Sequence, residues 1–427
     1  MFETIKNAWK IVDLRKKILF TLFILLIFRI GSVITVPFVD PNELQSNVNT
    51  ALQSLAILTG GALEYGTLFA LGVAPYINSS IILQLLTVAI PALERLSKEG
   101  EEGRKKIAQL TRYITIALAL IQGFAYFIYL SKNNMLTVST TGAKWFAGFV
   151  VVLSLTAGSA LVMWLGEQID EKGIGNGISM ILFAGIISRA DDAALTLWNL
   201  FNMKNAGYKV AVIAILIVFL LVIAFIVWMS NAERRLPVQY AKRVVGRKMY
   251  GGQNTHLPIK VNMSGVMPII FANSILMLPT MILSFITLPD NHWFVKGLNL
   301  FSTQGSLYAV IYFGMIIAFA YFYTTIQYNP VEMANNLRKN SGSIPGLRPG
   351  KPTSDFIKKV LSRITLIGAL LLSVVAVGPI FFAMISDVFA AVSIGGTSVI
   401  IIVGVALDVV NNLESQMMMR HYKGFLD

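Results

Sequence analysis

The 427-residue sequence contains no cysteine, so it can form no disulfide and carry out no thiolate chemistry. It has three histidines, His256, His292 and His421, too far apart to match any metal-ligand spacing. Charge is scarce as well. Only 13% of residues are Asp, Glu, Lys or Arg, against about 25% in an ordinary soluble domain. With 55% hydrophobic residues, that balance excludes a soluble protein and requires a polytopic membrane protein. No P-loop is present. The glycine-rich run WLGEQIDEKGIGNGIS (164–179) has no preceding strand and so is a poor dinucleotide site. No Ser/His/Asp or paired-carboxylate arrangement stands out, so no enzyme, catalytic residue, cofactor or metal is expected. The opening MFETIKNAWKIVDLRKK is basic and amphipathic and shows no small-residue cleavage site, so the first apolar span is read as retained.

Apolar runs of about 20 residues, the length that crosses a bilayer, are plentiful. Ten are predicted: 18–36, 73–92, 112–131, 145–165, 176–190, 208–230, 264–287, 307–328, 361–385 and 393–411. The fifth is short and Gly-rich, and needs neighbours to shield it. Counting alternate connecting segments, one side holds 28 of the 35 Lys and Arg and the other six, with Arg29 inside the first span. Basic residues stay on the cytoplasmic side, so both termini are expected there. Retention alone accounts for the bias. The loops at 231–262 and 329–360, however, are longer than a crossing requires and equally suit an acidic partner.

One stretch occurs twice. GVAPYINSSIILQLL (72–86) aligns without a gap to GVMPIIFANSILMLP (265–279), with Gly, Val and Pro at the same places. The copies fall in the second and seventh predicted spans. An offset of five reverses orientation, which points to two inverted five-span halves, 1–190 and 191–427. Proline, lacking an N–H, suits a first helical turn. Asn78, Ser79, Ser80 and Gln84 follow the first break, Asn273 and Ser274 the second, and Gln122 lies in the third span. Such side chains serve either as helix–helix glue or as a seam that opens, since each contact is worth only about 0.6–2 kcal/mol in a membrane. Intramembrane carboxylates of the kind that relay protons are nearly absent, Asp408 near a span end being the exception. That counts against an ion-coupled solute transporter.

TGGALEYGTLFALG (59–72) is apolar but too short to span, and it holds Glu64. It reads either as a re-entrant segment buried in protein or as a helix lying on the outer surface. The 231–262 segment has the alternation of a β-hairpin, with Lys242, Arg243, Arg247 and Lys248 at its tip. In 329–360, two Pro-Gly pairs bracket Leu347 and Arg348, a tight turn that presents the arginine.

Taken together, GVAPYINSSIILQLL, WLGEQIDEKGIGNGIS, YAKRVVGRKMYGGQNTHLPIKVNMSGVMP, SIPGLRPGKPT and GGTSVII, in this order over nearly the whole chain, resemble the SecY family of protein-conducting channels. The resemblance implies an all-α polytopic membrane protein with ten transmembrane helices. They would form two inverted halves, a clamshell around an hourglass pore, with a re-entrant plug helix at about 57–71. By motif matching, the pore ring would be Val73, Ile77, Ile178, Leu182, Ile270 and Ile401. The plug would include Gly60, Gly61, Leu63, Glu64, Tyr65, Leu68 and Phe69. The lateral gate would use Asn78, Ser80, Gln84, Gln122, Asn273 and Ser274. The resemblance also implies partners: the SecE and SecG subunits, the SecA ATPase motor, the ribosome, signal peptides, the translocating chain and membrane lipids. Lys242, Arg243, Arg247, Lys248 and Arg348 would form the docking surface. The expected location is the bacterial plasma membrane.

Overall fold

The computed structural model describes residues 2–46, 59–138, 140–203, 206–240, 243–245, 248–250, 254–285, 306–385 and 396–423. The helices among them are α1 (Phe2–Lys10), α2 (Val12–Gly31), α3 (Pro41–Ser46), α4 (Ala74–Ala89), α5 (Pro91–Lys98), α6 (Glu101–Lys132), α7 (Thr141–Lys172), α8 (Gly177–Ile187), α9 (Ala190–Asn202), α10 (Ala206–Asn231), α11 (Met267–Phe285), α12 (Ser306–Gln327), α13 (Pro330–Lys339), α14 (Lys351–Ile385) and α15 (Gly396–Lys423). The strands are β1 (Glu233–Tyr240), β2 (Arg243–Val245), β3 (Lys248–Tyr250), β4 (Asn254–Lys260) and β5 (Gly342–Ser343).

A helix lies at each of the ten predicted spans. Among the described residues, six helices are long and apolar enough on their own to cross a membrane, or seven if the bent pair α4 and α5 counts as one. The differences have physical causes. Ile90 precedes Pro91 and is forced into extended backbone (φ −108°, ψ 112°), so the chain turns by 102° there and the second span ends short of residue 92. α8 has only 11 residues, or roughly 17 Å at the helical rise, little more than half of a bilayer core. It is enclosed by α2, α7 and α15. α6 begins at Glu101, eleven positions before the predicted span, because charged residues continue a helix into water as readily as apolar ones do in lipid.

Inside a bilayer apolar burial does not drive helices together; close packing and interhelical hydrogen bonds do. The main cluster draws buried side chains from α2, α4, α7, α8, α10, α11, α12, α14 and α15. Ser79 of α4 shows the polar element. Its Oγ lies 2.6 Å from Thr115 Oγ1 and 3.3 Å from the Thr111 carbonyl of α6. In contrast, α10 leaves Val210, Ile213, Leu216, Ile217, Leu220 and Leu221 exposed, a face suited to lipid. The 164–179 run is a corner between α7 and α8, where Asp170 Oδ1 accepts from Gly177 N (2.7 Å) and Asn176 caps α8 by accepting from Ser179 N (3.0 Å).

The expected hairpin is present as β1 and β4, antiparallel with Leu236 opposite Leu257 and Val238 opposite Thr255. β5 joins the other edge of β1, giving the order β4-β1-β5. Leu236, Val238 and Ile259 turn inward onto Ala334 and Leu337 of α13, Ile344, and Ile357, Leu361 and Ile364 of α14. The two long loops are therefore one packed unit. Pairwise packing between segments about a hundred positions apart leaves no trace in the hydropathy of either.

Candidate functional site

The repeated sequence builds a repeated structure. Gly72 and Gly265 both have left-handed backbone, φ +52° and +61°, which glycine adopts without strain. Each is followed by valine, then by a helix beginning one residue before proline: α4 at Ala74 before Pro75, and α11 at Met267 before Pro268. The two helices pack against each other, and α11 also touches α6. Gln122 and Asn273 are buried on these helices, with Asn78, Ser80, Gln84 and Ser274 partly buried.

The six residues matched to the pore ring all belong to or border one large apolar cluster. Val73, Ile77, Leu182, Ile270 and Ile401 are buried members of one apolar cluster, and Ile178 packs against it. They come from α4 and its cap, α8, α11 and α15, so both predicted halves of the sequence contribute side chains to this cluster.

The segment matched to the plug differs from the expectation in one respect. Residues 59–73 form successive turns, not a helix; residues 57 and 58 lie outside the described residues. The reason is its glycines: Gly60, Gly61, Gly66 and Gly72 all have positive φ, a conformation a right-handed helix does not contain. The segment is nonetheless held in the protein, as the re-entrant reading requires. Gly61, Leu63 and Phe69 are buried, Gly60, Glu64 and Leu68 are partly buried, and Tyr65 is exposed. Backbone bonds join Val36 N to the Gly66 carbonyl (2.9 Å) and Leu68 N to the Ile34 carbonyl (2.8 Å). Tyr126 Oη donates to the Leu63 carbonyl (3.0 Å) and Glu64 pairs with Arg189 (2.9 Å). Phe69 stacks on Phe28, ring centroids 5.8 Å apart, inside the cluster that holds the aliphatic ring. Arg29, exposed on α2, reaches the Gly60 carbonyl at 3.5 Å.

Arg348 is exposed, and its carbonyl accepts from Thr353 Oγ1 (2.8 Å). Arg243 and Lys248 sit on β2 and β3, which pair antiparallel with Val245 opposite Lys248. Lys242 and Arg247 lie outside the described residues. Sequence reasoning missed Tyr126 and Arg189, which meet the 59–73 segment only through the fold. The one available signal was Arg189 itself, a basic residue on the side otherwise poor in them.

Several helices long and apolar enough to cross a membrane, packed around a shared apolar cluster, make this a multi-pass helical membrane protein. Its sequence places it more closely. The chain belongs to the SecY family, whose model matches residues 67–410. It is 42% identical to the protein translocase subunit SecY of Mycobacterium bovis and to that of Streptomyces scabiei, over all of this chain and all of each relative. Among solved structures it is similar to one described as a protein-conducting channel (TM-score 0.67, 19% identity, 94% of this chain and 92% of that one). It is also similar to Sec61 of a canine ribosome–channel complex (TM-score 0.64, 18% identity, 94% and 92%).

Proposed function

We propose that this chain is the channel-forming subunit of a protein translocase, which passes unfolded secretory polypeptides across the membrane and releases apolar helices sideways into lipid. One observation supports the reading: the aliphatic residues matched to the ring, from both predicted halves, share one apolar cluster with Phe69 of the 59–73 segment. A ring of aliphatic side chains excludes water and ions when shut. It then yields around a passing chain without binding any one sequence, because it offers no hydrogen bonds to hold the cargo.

On this reading the chain crosses the membrane ten times in two inverted halves, 1–190 and 191–427, with both termini cytoplasmic in the bacterial plasma membrane. The seam between α4 and α6 on one side and α11 and α12 on the other is the lateral gate. Asn78, Ser80, Gln84, Gln122, Asn273 and Ser274 flank it with contacts of about 0.6–2 kcal/mol each, so a signal peptide's apolar core can part it. Residues 59–73 act as the plug. SecE clasps the hinge side, SecG completes the complex, and SecA supplies ATP hydrolysis.

The packed unit of β1, β4, β5 and α13 exposes Arg234, Arg338, Lys339 and Arg348. It is the surface on which SecA or a ribosome docks, together with Lys242, Arg243, Arg247 and Lys248. The resemblance to ribosome-bound Sec61 supports this assignment. Arg348→Glu is expected to slow SecA-driven transport into vesicles by about tenfold, the scale on which a reversed interfacial charge acts, while the variant itself still inserts into the membrane. Undiminished transport would remove Arg348 from the docking surface.

A further inference from the structure

The 59–73 segment carries one acid, Glu64, and the fold gives it a specific partner. Glu64 Oε1 lies 2.9 Å from Arg189 Nη1, with the two side chains only 14% and 23% exposed. Asp192 stands 3.9 Å from Arg189 Nε but is 69% exposed, so Glu64 is the closer and better shielded of the two acids. The backbone around Arg189 also meets the segment. A Cβ added to Gly60 would come within 2.7 Å of Ser188 Oγ and 2.9 Å of the Gly185 carbonyl. Arg189 lies between α8 and α9, at the junction of the two predicted halves.

Further side-chain hydrogen bonds to this segment come from elsewhere. Tyr126 on α6 holds Leu63, Arg29 on α2 reaches Gly60, and Ser159 on α7 reaches Gly72 (3.5 Å). All three helices belong to the first predicted half, as Arg189 does. The Glu64–Arg189 pair is different, because it is an ion pair, and its cation lies on the connection between α8 and α9. A partly buried ion pair responds sharply to displacement: pulling one partner away leaves the other charge poorly solvated.

We propose that Arg189 is a positioning residue that holds the plug segment shut through Glu64. The proposal rests on reading residues 59–73 as a plug. A polypeptide that displaces the segment must first separate these charges.

The test uses the full chain in complex with SecE and SecG, reconstituted into phosphatidylethanolamine–phosphatidylglycerol vesicles. Potassium efflux is measured with no polypeptide present, and SecA-driven export of a normal secretory protein is measured in parallel. Glu64→Arg and Arg189→Glu are each expected to raise resting efflux by about tenfold, the shift in open fraction expected when a shielded pair becomes a repulsive one. Export by both is expected to persist. The double exchange, Glu64→Arg with Arg189→Glu, is expected to return efflux to within about twofold of the parent, since a reversed pair restores the attraction. A deletion of residues 60–71 separates the two ideas. If the deletion leaks and the single variants do not, the plug stands and the pairing is wrong. If neither leaks, the plug reading fails and the proposal fails with it. Single variants that leak, or that lose export, without recovery in the double exchange would show that the residues act separately, which also overturns it.

Discussion

Ile270→Asn is expected to open the resting channel to ions. Ile270 is buried in the aliphatic cluster beside Val73, Ile77, Leu182 and Ile401. A closed apolar constriction stays dry because water entering it finds no hydrogen-bond partners. An amide there supplies them. Its hydration, worth about 1–3 kcal/mol, lowers the barrier to wetting and should raise single-channel leak by about tenfold to a hundredfold. The same variant should export proteins whose signal sequences are too weak for the parent, because less work is needed to part the ring. Ile270→Val keeps the aliphatic surface and should remain tight. Planar-bilayer conductance checks both. A silent Asn variant would mean that the aliphatic cluster is an ordinary packed core and that the chain is an assembly factor without a pore.

A disulfide across the seam is expected to stop transport. α4 and α11 pack together, and Ser80 and Asn273 lie on them. With no native cysteine in the chain, Ser80→Cys with Asn273→Cys gives a pair without competitors. Oxidation should form a crosslink seen as a shift in gel mobility, and export should fall to background in proportion to its yield. Reduction should restore export. The size of the effect follows from the contrast between a covalent bond and polar contacts of about 0.6–2 kcal/mol each. Normal transport with the crosslink fully formed would remove this seam as the gate.

Different parts of the structure were legible in the sequence for different reasons. Hydropathy records contact with lipid, so among the described residues a helix lies at each of the ten predicted spans. It does not record where a helix stops. α6, α14 and α15 continue well beyond the apolar stretch into charged sequence, and Pro91, inside an apolar run, bends the chain by 102°. The repeated Gly-Val-x-Pro was legible because it encodes local geometry, a left-handed glycine followed by a helix start, and both copies adopt it. The 59–73 segment read from its composition as either re-entrant or interfacial, and the resemblance implied a helix there, whereas its glycines impose turns. The ring residues became legible only through motif matching, since an isoleucine at a pore waist has the same neighbours in sequence as one in any apolar helix. Glu64 and Arg189 stand 125 positions apart, and no local pattern announces such a pair.

The central claim is that polypeptide passes through the centre closed by Val73, Ile77, Ile178, Leu182, Ile270 and Ile401. The most direct measurement places a photoreactive side chain at Ile270 in the reconstituted complex and arrests a secretory chain halfway across with SecA and ATP. Irradiation is predicted to crosslink Ile270 to the arrested chain, while a probe at lipid-facing Leu220 does not react with it. Efficient transport with no adduct at Ile270, despite a working control probe, would place the path elsewhere and contradict the account.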